Sequence, residues 1–217
     1  MRRRRLLSLV GAGVAGGLAG CGGSDEMAAS IEDHPAATGL AEQPRLGELG
    51  NHVVLAFEDP SCQRCAAFHE DTVPKLRSNL TEPGLGAYVV RHYPVVYPWG
   101  GPASRALEAT FARSERAYWD LLGHYFETRG QFTADNVLDR TETFLTDDTD
   151  VDGAAVVADV GDGAFDDAVE ADVSAAEAAG LGETTPVVLL FRAGEYVTKV
   201  NGSVSYEVVA EALGVTE

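Results

Sequence analysis

Hydrophobic positions change period several times along this chain, and each change marks an element. His52-Val53-Val54-Leu55-Ala56-Phe57 is a β-branched and apolar run of strand length. A strand buried on both faces has this pattern. Glu58-Asp59-Pro60-Ser61 breaks the run. Ala66, Phe68, Val73, Leu76 and Leu80 then recur at roughly helical spacing, and Pro83-Gly84 ends them. Residues 103–180 carry no strand-like alternation. Within them Ala106, Thr110, Phe111, Tyr118, Leu121, Leu122, Tyr125 and Phe126 fall mostly on one helical stripe. A further helix is expected from Ala134 to Leu145 with Thr133 as its cap, although no Glu stands where a capping box needs one. Asp159 to Gly180 reads as acidic, Ala-rich helix. Strand character returns at Val187 to Phe191 and, after a turn at Arg192-Ala193-Gly194, at Tyr196 to Val200. Asn201-Gly202 leads into a last helix, whose Tyr206, Val209, Ala210 and Leu213 stand at i, i+3, i+4 and i+7.

The first thirty residues follow none of these periods. Arg2 to Arg5 form a cationic start, and Leu6 to Ala19 is a Gly- and Ala-rich apolar stretch too short to span a membrane. Arg3-Arg4-Arg5-Leu6-Leu7 fits the twin-arginine export pattern. Leu18-Ala19-Gly20-Cys21 resembles a lipobox, with small residues that admit a peptidase and a Cys21 thiol able to form a thioether to lipid. Residues 1–20 are therefore expected to be a lipoprotein signal peptide, and the mature protein to be held at the outer face of the cell membrane. Residues 21–42 have no sustained period and read as a flexible spacer, with His34 solvated. The folded domain is expected over residues 43–217.

Charge changes the picture further. The 217 residues carry a net charge of −18 from 34 acidic and 16 basic side chains. Without Arg2 to Arg5, 34 acidic and 12 basic groups remain, a net −22. Such a body has no basic face for nucleic acid and is repelled by anionic lipid. Only Lys75 and Lys199 are lysine. Many short acids with few lysines resemble proteins of extremely halophilic archaea, where a Debye length of about 3 Å in molar salt weakens self-repulsion. Asp147-Asp148-Thr149-Asp150-Val151-Asp152-Gly153 lacks the glycine and glutamate spacing of a calcium loop, so it reads as a solvated acidic loop.

With Cys21 assigned to lipid, Cys62 and Cys65 remain as Cys-Gln-Arg-Cys. Haem attachment would need His at position 66, which is alanine, and zinc would need a second ligand pair. Redox chemistry is left. The order strand, short loop, Cys-x-x-Cys, helix puts Cys62 at a helix N-terminus, where free N–H groups and the positive helix end stabilise a thiolate. Arg64 is expected to add a cation there. Cys65, one turn in, is expected to be the resolving thiol.

On these residues the chain resembles the thioredoxin superfamily, most closely its DsbA-like branch. Pro44-Arg45-Leu46-Gly47, Val53 through Cys65 with Asp59, and Ala87 to Pro94 are similar to that branch's first strands and active-site loop. Ala103 to Glu127 is similar to its first inserted helices, and Gly180 to Phe191 to its cis-proline loop and following strand. The resemblance covers about residues 43 to 215. It implies an α/β thioredoxin fold, a central mixed sheet flanked by helices, with a helical insertion at about 100–180. It implies that Pro186 is cis and faces the dithiol, and that Thr185 pairs with an extended substrate. Two departures stand out. The position of the family's buried acid, six residues before the first cysteine, is Ala56, so that Glu58 or Asp59 would have to substitute. The dipeptide Gln63-Arg64 matches neither thioredoxin nor DsbA.

The expected function is a membrane-tethered thiol–disulfide oxidoreductase, acting on exported proteins with thiols or disulfides and reset by a redox partner. It would use its own disulfide and no metal or organic cofactor. Oxidation is the first expected direction, because the compartment is oxidising. One rival is a copper-delivery module on the same fold, with His69, His92 or His124 as third ligand. Another is a structural disulfide, but a loop this small removes little chain entropy.

Overall fold

The computed structural model describes residues 30–215. The expected export signal, Cys21 and the start of the spacer lie outside the described residues. Five strands form one sheet in the order β1-β3-β2-β4-β5. They are β1 (Arg45–Gly47), β2 (His52–Glu58), β3 (Gly86–His92), β4 (Val187–Arg192) and β5 (Glu195–Asn201). β2 runs parallel to β3 and antiparallel to β4, with Leu55 opposite Val89 on one side and Leu189 on the other. β1 and β5 close the edges, both antiparallel.

The unbroken apolar run of β2 has its explanation in two covered faces. Val54 and Ala56 join Tyr88, Val90, Val188 and Leu190 under Phe68, Leu76, Val209 and Leu213. These come from α1 (Gln63–Asp71), α2 (Val73–Leu76) and α8 (Tyr206–Leu213). The single helix expected after the cysteines is broken at Thr72, which carries φ −112°. Pro74 in the first turn of α2 has no N–H to continue the α1 ladder. Thr72 Oγ1 donates to the Val204 carbonyl instead, at 2.7 Å, tying the break to the loop before α8.

The opposite face corrects the expected spacer. Val53, Leu55, Phe57, Val89, Leu189 and Phe191 pack against Ala36 and Ala37 as well as Ala175, Ala176 and Leu181. Ser30 bridges to Glu195, and His34 is buried, stacked on Tyr196 at 5.0 Å and edge-on to Phe191 at 5.3 Å. Residues 30–42 are thus part of the domain, and His34 is not solvated. They are anchored where Arg91, fully buried on β3, donates to the Thr38 carbonyl and to Asp172 Oδ1, the latter at 2.7 Å. Asp172 belongs to α7 (Asp166–Ala178), and its Oδ2 accepts the His92 N–H at 2.7 Å.

The insertion consists of α3 (Gly100–Phe111), α4 (Glu115–Glu127), α5 (Val137–Asp148), α6 (Gly153–Gly161) and α7. Ala106, Tyr118, Leu121, Leu122 and Tyr125 of the expected stripe form its core. α5 begins three residues later than expected, with Asn136 as its cap, because Asn136 Oδ1 is taken by the Thr133 N–H and fixes a turn there. The expected helix from Asp159 to Gly180 is two helices, parted at Gly163, whose φ of +72° no helix continues. The acidic stretch at 147–153 ends α5 and starts α6, where Asp152 accepts the Ala155 N–H.

Candidate active site

Cys62 is the N-cap of α1 and Cys65 lies three residues on, so both sulfurs sit where β2, α1 and the inserted helices meet. Both thiols are free and buried. Cys62 Sγ lies 3.4 Å from the Thr185 carbonyl, across a chain separation of 123 residues. The Thr185-Pro186 bond is cis. The helix start, the dithiol and the proline loop expected from the sequence are therefore brought together.

The two thiols are unlike. Cys62 is lowered from 9.0 to about 5, chiefly by a hydrogen bond from the Cys65 thiol. Burial opposes this, while Thr185 and the N–H groups of Cys65 and Arg64 reinforce it. Cys65 is pushed well above 9.0, first by burial and then by its hydrogen bond to Cys62 and by the charge of Glu58. At neutral pH the pair is a thiolate beside a thiol, the state a nucleophile and a resolving group need.

Arg64 departs from expectation. Its guanidinium donates to Thr184 Oγ1 at 2.7 Å. What it lends the thiolate is its backbone N–H. The cation thus links the dithiol helix to the cis-proline loop.

Asp59 fixes the loop ahead of Cys62. Its Oδ1 accepts the Ser61 N–H at 2.7 Å and the Ser61 hydroxyl at 2.5 Å. Its Oδ2 accepts the Val96 N–H at 2.7 Å, and Ser61 Oγ accepts the Tyr97 N–H at 3.1 Å. The β3–α3 loop is thereby clamped against the dithiol, presenting exposed Val95, Val96 and Tyr97 beside it. Gly100 makes this clamp possible, since a Cβ there would lie 2.5 Å from Asp59 Oδ1.

Sequence reasoning placed Glu58 at the site only as a stand-in and missed Tyr88 altogether. Glu58 is fully buried at the end of β2, on the sheet face of Val54 and Ala56. Its Oε1 accepts the Tyr88 hydroxyl at 2.5 Å, and its Oε2 lies 2.9 Å from His69 Nε2. The period of a strand was the available signal: positions 56 and 58 share a face, so an acid missing from one can stand at the other.

The three candidate metal histidines are engaged elsewhere. His69 joins Glu58 and Tyr88. His92 is buried at 3.6 Å from Glu108 and 3.4 Å from the Tyr118 hydroxyl. Burial lowers His92 to about 3 and raises Glu108 to about 8, so at neutral pH that contact joins two uncharged groups. His124 stacks on Phe144 at 4.1 Å. Among the described residues no group of three or more His, Cys, Asp or Glu side chains could hold a metal ion.

The thioredoxin family model, described as "Thioredoxin", matches residues 42–212. The chain belongs to the thioredoxin family. No curated protein matches it by sequence. Among solved structures it is similar to oxidised BdbD from Bacillus subtilis, at 17% identity and a TM-score of 0.68 over 81% of this chain and 95% of that one. It is also similar to alpha-DsbA1 from Wolbachia pipientis, at 18% identity and a TM-score of 0.64, over 79% and 91% of the two chains. A third is the thiol-disulfide exchange protein alpha-DsbA2 from the same organism, at 18% identity and 0.62, over 80% and 86%. The fold, a thioredoxin sheet with a helical insertion, is that of DsbA-type structures.

Proposed function

We propose that this protein is a DsbA-like thiol–disulfide oxidoreductase that forms, reduces or reshuffles disulfides in exported proteins. The observation that carries the reading is the placement of Cys62 at the start of α1, three residues before buried Cys65, with its sulfur 3.4 Å from the carbonyl of Thr185, the residue before the cis proline. In the oxidising direction a substrate thiolate attacks Sγ of Cys62 in the Cys62–Cys65 disulfide. The S–S bond breaks, Cys65 leaves as a thiolate and takes up a proton, and a mixed disulfide remains on Cys62. A second substrate thiolate attacks the substrate sulfur of that bond and Cys62 leaves as a thiolate. The substrate loses two electrons and the dithiol gains them; a redox partner later removes them. No metal or organic cofactor enters the scheme.

Thr185 and Pro186 offer backbone edges to an extended substrate, and Arg64 holds their loop through Thr184. Glu58 gives and takes the proton of Cys65. The exposed Val95, Val96 and Tyr97 suit apolar stretches of unfolded chains. Copper delivery is disfavoured, because among the described residues neither His69, His92 nor His124 forms with the cysteines a group that could hold a metal ion.

The place of action is proposed from the twin-arginine and lipobox patterns: outside the cytoplasm, tethered through lipid on Cys21. No helix among the described residues is long and apolar enough to cross a membrane. The net charge of −22 beyond the export signal suits concentrated salt.

Cys65→Ser in the full chain tests all of this together. The variant should accumulate mixed disulfides with exported proteins in the membrane fraction, cleared by a reducing agent. A second change, Cys21→Ser, should release the same adducts from the membrane. A Cys65→Ser protein that traps no partner would sink the enzymatic reading, and adducts still membrane-bound without Cys21 would sink the anchor.

A further inference from the structure

Every half-reaction of the dithiol moves one proton on or off Cys65, and Cys65 is buried. Its sulfur faces the end of β2, where the Asp59 N–H favours its thiolate and the charge of Glu58 opposes it. Glu58, the residue before Asp59, is the acid whose charge acts on Cys65, and it is itself fully buried. The Tyr88 hydroxyl donates to Oε1 at 2.5 Å, and Tyr88 is fully buried too. Oε2 has no well-aligned donor; the side chain that reaches it is His69, with Nε2 at 2.9 Å from Oε2 and 3.0 Å from the Tyr88 oxygen.

His69 differs from the other two in having a way out. It lies on α1, one turn beyond Cys65, and its ring packs on Phe126 of α4 at 4.5 Å. Between α1 and α4 opens a cleft of about 470 Å³, lined by Ala66, His69, Glu70, Gly123, Phe126 and Glu127. Glu70 and Glu127 at its rim are exposed. None of the residues lining the cleft belongs to the Thr185-Pro186 loop.

We infer that His69 is the proton relay of this site, joining the solvent cleft between α1 and α4 to Glu58 and through it to Cys65. Resting on the dithiol reading above, the inference gives Cys65 a route to solvent that does not pass the Thr185-Pro186 loop. When the Cys62–Cys65 bond opens, His69 passes a proton to Glu58, Glu58 delivers it to the Cys65 thiolate, and His69 takes one from water in the cleft. When Cys65 attacks to release a substrate, the proton travels the other way. No electron moves along the relay. His69 touches neither sulfur, so it is a positioning and relay residue, not a catalytic one. The groups that face it are Glu58 on β2, Tyr88 on β3, Cys65 and Glu70 on α1, and Glu127 on α4.

The test is the rate at which the oxidised full chain is reduced by a dithiol peptide, followed across pH 5 to 9 in high salt. His69→Gln keeps an N–H in the position of Nε2 but cannot titrate. It should slow the Cys65-dependent step by about tenfold or more, toward the range of lost general acid–base assistance, and should flatten the pH dependence of that step. His69→Ala should be slowed likewise and recover with added imidazole, which fits the cleft; His69→Ala with Glu58→Gln should not recover. A His69→Gln protein with the wild-type profile, or a His69→Ala protein indifferent to imidazole, overturns the relay alone. A wild-type chain without any Cys62-dependent reduction overturns the dithiol function and the relay together.

Discussion

Cys62→Ser should bring thiol–disulfide exchange down to the uncatalysed rate, while Cys65→Ala should leave attack possible but shift its pH dependence upward. The first result follows from the asymmetry of the pair. Cys65 is held well above 9.0 by burial and by Glu58, so it offers almost no thiolate to replace a missing Cys62. The second follows from the order of causes at Cys62, where the Cys65 hydrogen bond is the largest. Alkylation of the reduced wild type should follow the thiolate: half-maximal near pH 5, level above, and falling away below as the sulfur is protonated. In Cys65→Ala the half-maximal pH should rise by about one unit or more, because burial remains and its principal counterweight is gone. An unchanged midpoint would mean that the helix end and Thr185 alone hold the thiolate.

Asp172→Ala should be the most destabilising single change outside the dithiol, by about 3–5 kcal/mol in chemical unfolding. Arg91 and Asp172 are both buried, and burial raises Asp172 to about 6 even with the guanidinium beside it. The pair is thus costly to desolvate and adds little net stability. Removing one partner is a different matter. The Arg91 charge would be left buried, and the His92 N–H would lose its acceptor, Oδ2 of Asp172. Since Arg91 also donates to the Thr38 carbonyl, residues 30–42 should loosen first, visible as faster amide exchange there. Arg91→Met with Asp172→Leu should cost less than Asp172→Ala, because no charge is stranded. Equal losses in the two proteins would contradict this account of the pair.

The strands and the dithiol were legible because their signals are local. A continuous β-branched run, a Cys-x-x-Cys after it and a Thr-Pro before the next run each declare themselves within ten residues. What escaped depends on distant partners. Residues 30–42 look like spacer because Gly, Pro and polar residues dominate them; only Phe191 and Tyr196, some 160 residues away, make His34 a core residue. Glu58 is legible as an acid out of place, but Tyr88 stands 30 residues along and His69 reads only as a possible copper ligand. Arg64 was read from its position between the cysteines, whereas a long side chain goes where its donors find acceptors, here Thr184. The breaks at Thr72 and Gly163 were marked by Pro74 and Gly163 themselves, weak signals inside strong apolar periodicity.

We propose that the fold stabilises the reduced dithiol by keeping Cys62 a thiolate, and that this makes the pair an oxidant of other thiols. A depressed Cys62 pKa favours the reduced form at every pH above about 5, an advantage the disulfide does not share. Equilibrium titration of the Cys62–Cys65 couple against a thiol buffer in high salt reads this directly. The account predicts a reduction potential above, that is more oxidising than, the roughly −270 mV of thioredoxin. A value at or below it would contradict the account and make the pair a reductant or an inert link.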